Sequence, residues 1–402
     1  MSTADRPKIG AGSLPLLLVM VFLNIAGFSL LLPLLPFYAH AFGAGPFAVA
    51  CLFAAYSLGN IAGEIFWGRR SDVRGRRPVL VLTTACAAVT YIAFTFSQNL
   101  ETALVLRVIG GFFGGTLGVV QGVIADITPP RDRAKVMGYF GAAFNFGFAV
   151  GPAIGGLLAS PEQGLAGFHL PIFAAAMLAA GASLWAWCFL AETRQPGPAR
   201  TPPSYGEAVS FVRASPLLWR LLLISWCGIA IFASVEAVFG LWTERAFGWT
   251  THEVGLTFLA VGGIGLLVQT LGIGPLVKRF GEARVIVGGL ILLCAAVGLQ
   301  PIFHAPVATV CLMALMMAGH SLAFPNAGAL ISRNTPPERQ GSVMGLNMAS
   351  NASSRILAPP LFGLVFSQAS DAPFLLGATI IALVVPVALA VVKLTAPRLA
   401  QA

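Results

Sequence analysis

Apolar residues in this chain come in long runs separated by short polar breaks, without the alternation or narrow stripe that marks a half-buried strand or surface helix. A helix needs about 20 mostly apolar residues to cross a bilayer. Twelve stretches qualify: 14–38, 46–67, 79–97, 101–123, 134–158, 170–190, 217–241, 253–273, 284–302, 306–330, 341–366 and 372–394. The pattern predicts an all-α membrane protein of twelve transmembrane helices, segments 1 to 12. The run beginning at Leu14 follows Arg6 and Lys8 as a signal peptide core would, but it is too long and no small-residue cleavage site follows it.

The pattern also repeats. Thr128-Pro129-Pro130 and Val136-Met137-Gly138 recur as Thr335-Pro336-Pro337 and Val343-Met344-Gly345, and Pro152 and Gly156 recur as Pro359 and Gly363, all 207 positions on. Gly68 and Gly75 recur as Gly274 and Gly281 at 206. Two repeated halves around a central pathway are a transporter architecture. The longest break, rich in Pro, Gly, Ser and Arg, divides them. The expected layout is two pseudo-symmetric six-helix bundles, 1–191 and 217–402, joined by a cytoplasmic linker at 192–216.

Composition agrees: 57% of residues are apolar and 10% charged, with a mean hydropathy of +0.84, against about 25% charged in soluble domains. The formal charge of +9 raises nucleic acid as a partner, but a phosphate-backbone binder gathers its basic residues on one solvated surface. Of the 24 Lys and Arg, all but Arg107, Arg245 and Arg355 lie in the two tails or the loops after segments 2, 4, 6, 8 and 10, or within about one turn of them. That alternation predicts both termini in the cytoplasm and argues against nucleic acid. Cys51, Cys86, Cys188, Cys227, Cys294 and Cys311 lie inside apolar runs without metal-ligand spacing, which predicts packing and no metal.

Between segments 2 and 3 stands Gly68-Arg69-Arg70-Ser71-Asp72-Val73-Arg74-Gly75-Arg76-Arg77-Pro78, read as a tight turn with five arginines around one aspartate. A basic topology anchor explains the arginines but not the Asp72 and Gly75 spacing. Arg107, inside segment 4 ahead of Gly110, Gly111, Gly114 and Gly115, is costly in hydrocarbon unless it faces protein or a wet cavity, or snorkels to the headgroups. Segment 5 carries Gly147-x-x-x-Gly151-Pro152-x-x-Gly155-Gly156, where small residues let helices touch and proline bends one.

These motifs resemble those of the major facilitator superfamily. Gly68, Ser71, Asp72, Gly75, Arg76 and Arg77 match its signature loop; Arg70 and Val73 depart from it. The resemblance implies that Asp72 helps to lock the outward-facing state by bonding to the start of segment 11, near Gly341. Lys278 stands where the second copy would carry that acid. Arg107 and Gly111 match a segment 4 motif implicated in proton transfer, and the glycine-proline run of segment 5 is similar to one characteristic of the family's antiporters. Leu32-Pro33, Ala125-Asp126-Ile127-Thr128 and Glu338-Arg339-Gln340-Gly341 narrow the resemblance to drug/proton antiporters that include tetracycline exporters. Where those exporters carry an acid in segment 1, this chain has Asn24.

A proton carrier must therefore be found elsewhere. Two acids lie inside segments. Glu236 sits among Phe232, Val238, Phe239 and Trp242, where burial disfavours a bare carboxylate. Glu64 is read as lying in the last turn of segment 2, a local partner for Arg69 and Arg70. Glu236 is the expected carrier, alternating between protonation and pairing with Arg355 or Arg107; a static pair with Arg355 that fixes helix packing is the competing reading. His320 is a further titratable candidate. The expected pocket, midway across the membrane, draws on Asn24, Tyr56, Asn60, Gln121, Asn145, Gln269, Asn326, Asn347 and Asn351, some of which must merely bridge helices.

The function this supports is proton-coupled antiport exporting a drug-like or amphipathic molecule from a bacterial inner membrane, by a protein that resembles a family of monomers. A metabolite importer of the same fold is the alternative. A lipid-modifying enzyme would need an H-E-x-x-H, a G-x-S-x-G or a His/Asp cluster, and none is present. A channel would want a ring of identical groups from several subunits. There is no nucleotide-binding G-x-x-x-x-G-K-S/T, so the expected energy source is a proton gradient, with no cofactor.

Overall fold

The computed structural model describes residues 13–129, 132–193 and 205–399. Twelve long helices cross it: α1 (Leu14–His40), α2 (Pro46–Arg74), α3 (Arg76–Thr95), α4 (Leu100–Ile127), α5 (Arg133–Leu158), α6 (His169–Phe189), α7 (Pro216–Phe247), α8 (Thr251–Phe280), α9 (Glu282–Leu299), α10 (Pro306–Arg333), α11 (Pro337–Gln368) and α12 (Ala372–Leu399). Among the described residues, 11 helices are long and apolar enough to span a membrane. The exception is α11, whose 32 residues are ample in length but include Asn347, Asn351, Ser353, Ser354 and Arg355. It packs between α2 and α7, which keeps Asn347, Ser353 and Ser354 against protein, while Asn351 and Arg355 line a central cavity.

The two six-helix bundles repeat one packing scheme. In the first, α1 packs on α5 and α6, α2 on α4, and α3 on α4 and α6; in the second, α7 packs on α11 and α12, α8 on α10, and α9 on α10 and α12. The bundles meet along α2–α11 and α5–α8. Residues 194–204 of the expected linker lie outside the described residues; beyond them a short helix, Tyr205–Ala214, buries Ala208 and Val212 and packs against α11. The Arg339 guanidinium sits over the Phe211 ring, 4.9 Å from its centre.

One sequence expectation needs correction. The segment 68–78 is not a tight turn throughout: α2 runs on to Arg74, and the reversal is made at Gly75 alone, whose φ of 99° suits glycine. The repeat-related Gly281, with φ 81°, makes the same reversal between α8 and α9. The longer helix also moves Glu64 out of the last turn. At five and six residues' distance, Arg69 and Arg70 do not share its face, so it is not their ion-pair partner.

Interruptions shape the middle of the molecule. The first helix breaks between Leu30 and Leu35, around Pro33. The fourth breaks at Gly114-Gly115-Thr116, between Leu100–Gly114 and Leu117–Ile127. A side chain on Gly114 would collide with the Tyr56 hydroxyl, and one on Gly115 with backbone at Asn60 and Glu64. Glycine there lets α4 lie directly on α2.

The bundles also fix a sealed end. Far from the Gly75 turn, Gly156 of α5 rests on the backbone of Thr251 and Gly255, and Gly363 of α11 on Pro46 and Phe47. His40 and Glu244 approach to 3.4 Å at the same end.

Candidate functional site

A central cavity of about 330 Å³ lies between the bundles, walled by α1, α2, α4, α5, α7 and α11. It brings together four expected pocket residues, Asn24, Tyr56, Asn60 and Asn351, with Arg107, Glu236 and Arg355. Phe28, Phe53, Phe140 and Phe144 supply aromatic wall, and Phe28 packs on Tyr56 with ring centres 4.6 Å apart.

The cavity also holds Glu64, which sequence reasoning assigned to the helix end. The signal was present: Tyr56, Asn60 and Glu64 are spaced by four and share one face of α2. Ser57 and Thr116 are further polar lining residues not foreseen. Thr116 reaches the cavity because α4 is broken beside it.

Arg107 is 4% exposed, its Nε donating to the Leu52 carbonyl at 3.2 Å and its guanidinium 4.7 Å from the centre of the Tyr56 ring. It therefore faces protein and does not snorkel. Glu236 is 8% exposed, with Oε1 lacking any hydrogen-bond partner. Among the described residues it forms no ion pair with Arg355 or Arg107, so the static Glu236–Arg355 bridge is not the arrangement found. Arg355 nevertheless lies close enough to act electrostatically on both Glu64 and Glu236. The Oδ1 of Asn351 is likewise without a donor. Buried acceptors with no partner, aimed into a cavity, are costly unless a ligand, water or proton satisfies them.

The other expected pocket residues lie outside the cavity lining. Asn145 of α5 donates to Gln269 of α8, bridging the bundles. Asn326 donates to the Leu322 carbonyl at 2.7 Å within its own helix. Asn347 is buried with Oδ1 unpartnered, and Gln121 is half-buried on the second segment of α4. His320 packs between Phe232 and Phe324, ring centres 4.4 Å and 4.3 Å away.

At the Gly75 turn, Arg76 is buried and pairs with Asp72 at 2.9 Å and Asp126 at 3.3 Å. Its Nη1 also donates to Ser71 Oγ at 2.5 Å. The carboxylate of Glu192 accepts from the backbone N–H groups of Arg76 at 2.9 Å and Arg77 at 3.1 Å, capping α3. Arg77 donates to the Trp187 carbonyl. Asp72 is thus engaged with Arg76 of its own bundle. Glu192 was not foreseen, because its partners are more than a hundred residues away.

The glycine run of α5 divides its work. Gly147, Gly151 and Gly155 press on the α1 backbone at Phe22, Ala26 and Leu30, with Ser29 Oγ donating to the Gly147 carbonyl at 3.1 Å. Gly156 points the other way, to α8. A side chain at any of these positions would force helices apart.

The sequence profile of the Major Facilitator Superfamily matches residues 17–272 and 237–401. The chain belongs to this superfamily. Among curated relatives, it is 29% identical over 388 residues to a class D tetracycline resistance protein of Salmonella ordonez, covering 94% of this chain and 96% of the relative. It is 27% identical over 367 residues to Multidrug resistance protein 1 of Bacillus subtilis (strain 168), covering 90% and 92%. Its fold is shared with the nucleoside transporter NupG, at a TM-score of 0.79 and 13% identity over 94% of this chain and 99% of that one. The human organic anion transporter TETRAN superposes with a TM-score of 0.67 at 22% identity, over 94% and 98%. As a superfamily member with this architecture, the protein is a multi-pass membrane transporter and not an enzyme.

Proposed function

We propose that the protein is a proton-coupled antiporter that exports a drug-like, amphipathic molecule by alternating access. The observation that carries this reading is the central cavity, shared by both bundles, in which the buried Glu236 keeps an unpartnered carboxylate oxygen near Arg355. A carboxyl group in that position can hold a proton while the cavity faces one side and give it up when the surroundings change. Aromatic walls suit an amphipathic substrate better than a sugar or phosphate ester. The resistance functions named for the relatives support export. The importer reading has no comparable observation behind it, since the likeness to NupG concerns fold alone.

In this mechanism the sealed end, built on Gly156 and Gly363, opens while the end nearer Gly75 closes, and the reverse, as the bundles rock about α2–α11 and α5–α8. Substrate enters from the end nearer Gly75. Proton release from Glu236 leaves a carboxylate that Arg355 stabilises, and protonation removes that attraction. The gradient supplies the energy, with no cofactor. The working unit is a monomer in a bacterial inner membrane, with termini and linker in the cytoplasm, where basic loops are retained.

The test is drug-susceptibility profiling of cells expressing the chain, with and without a protonophore. Protection against amphipathic compounds that disappears with the gradient is the expected result. Protection that survives loss of the gradient contradicts antiport, and no protection against any amphipathic compound contradicts export.

A further inference from the structure

Both bundles carry cations around the turn between their second and third helices, but the acids beside them differ. In the first bundle the start of α3 is capped by the Glu192 carboxylate, and Arg76 is bracketed by Asp72 and Asp126. In the second, the position equivalent to Glu192 is Leu399, and the acid in the first turn of α9 is Glu282. Glu282, the nearest acid, is engaged by Arg333 at 2.8 Å. Among the described residues no carboxylate pairs with Lys278, Arg279 or Arg284.

Beside these cations lies an apolar groove of about 510 Å³ along the outer face of α8, α9 and α10. Its wall includes Leu276, Phe280, Gly288, Leu292 and Leu322, and Arg284 is its one charged lining residue. The groove is open over Gly288, where a Cβ would meet nothing within 4 Å. From Arg284 to Ala295 the helix rises about 16 Å, a length suited to an acyl chain. Apolar contact gives little preference over surrounding lipid, because lipid tails are as apolar as leucine. Selectivity must come from the charged mouth, and basic residues near a membrane surface favour anionic headgroups.

We propose that this groove is a binding site for a phospholipid with an anionic headgroup, its acyl chain along Gly288 and Leu292 and its phosphate at Arg284. The bound headgroup places a negative charge beside Arg284 in the first turn of α9. Lys278 and Arg279, in the last turn of α8, add to the attraction, and Arg279 stacks on Phe280 in the groove wall.

Native mass spectrometry of the purified full-length protein, equilibrated with equal amounts of phosphatidylglycerol and phosphatidylcholine of matched chains, tests this site. The wild-type protein should retain phosphatidylglycerol preferentially. Arg284→Gln should reduce that preference about five-fold, the effect of one basic group at a membrane surface. Arg284→Lys, which keeps the charge, should preserve most of the preference. Gly288→Leu should lower retention of both lipids by filling the groove, with an unchanged melting temperature as the check on folding. Equal retention of the two lipids by wild type, or an unaltered preference in Arg284→Gln, overturns the proposal.

Discussion

The two bundles carry the same ion pair with its charges exchanged. At the start of α3, Arg76 reaches Asp126 at the end of α4; at the start of α9, the repeat-related Glu282 reaches Arg333 at the end of α10. Lys278 stands where Asp72 does, so all three charged positions of the network are inverted. What persists between the halves is the geometric need to tie a helix start to its neighbour's end; the sign of each partner is free to change. The burial differs too. Arg76 is almost enclosed, while Arg333 is largely exposed. Enclosure makes the first pair costly to break, and exposure makes the second nearly dispensable.

Mutation can break that comparison directly. Arg76→Ala leaves Asp72 and Asp126 without their common partner and should destabilise the solubilised protein by about 3–5 kcal/mol, read as a fall in melting temperature. A loss below about 1 kcal/mol would show that enclosure does not separate the two networks. At the sealed end the repeat predicts equality. Gly156→Val and Gly363→Val should each cost about 1–3 kcal/mol by prying apart α5–α8 and α2–α11. Each should speed labelling, from the sealed side, of a cysteine placed at Ala233 in the cavity by about five-fold or more. Very unequal effects would mean that the two interfaces do not move together.

Smaller effects sharpen the asymmetry. Asn145 and Gln269 bridge α5 and α8, but their repeat equivalents on α11 and α2 are Ala352 and Gly63. Asn145→Leu should therefore cost only about 0.5–1.5 kcal/mol of interface stability, visible in melting of the solubilised protein. Glu282→Ala should cost no more than about 1 kcal/mol, since its partner is exposed to solvent. A larger loss would assign the inverted pair a role that its geometry does not suggest.

Most of the fold was legible because hydropathy and charge act locally. Each span announces itself over about 20 residues, and basic loops mark alternate turns. The membrane seam α11 was found by its length despite its polar residues, since enough apolar positions surround Asn347 and Arg355. The site was legible only in part. Asn24, Tyr56, Asn60, Asn351, Arg107, Glu236 and Arg355 do converge on one cavity. The reading that ends segment 2 before Gly68 misplaces Glu64, since the helix continues to Arg74. Asn145 and Gln269 were read as pocket residues because an intramembrane amide announces polarity without saying whether a ligand or another helix satisfies it. Glu192 and the breadth of the groove beside Arg284 depend on residues far apart in the chain, which no local pattern encodes.

The repeat also fails at the cavity. Offset by 207, Glu236 corresponds to Ser29, Arg355 to Phe148 and Arg107 to Ala314. The scaffold is shared, while the ionisable groups belong to single positions. The proposed coupling therefore rests on Glu236, which has no repeat-related carboxyl group opposite it. The direct measurement is proton movement in vesicles containing the reconstituted protein, triggered by a compound against which the chain protects cells. Wild type should move protons on addition of the compound, and Glu236→Gln should bind the compound while moving none. Substrate-dependent proton movement that persists in Glu236→Gln would contradict the account.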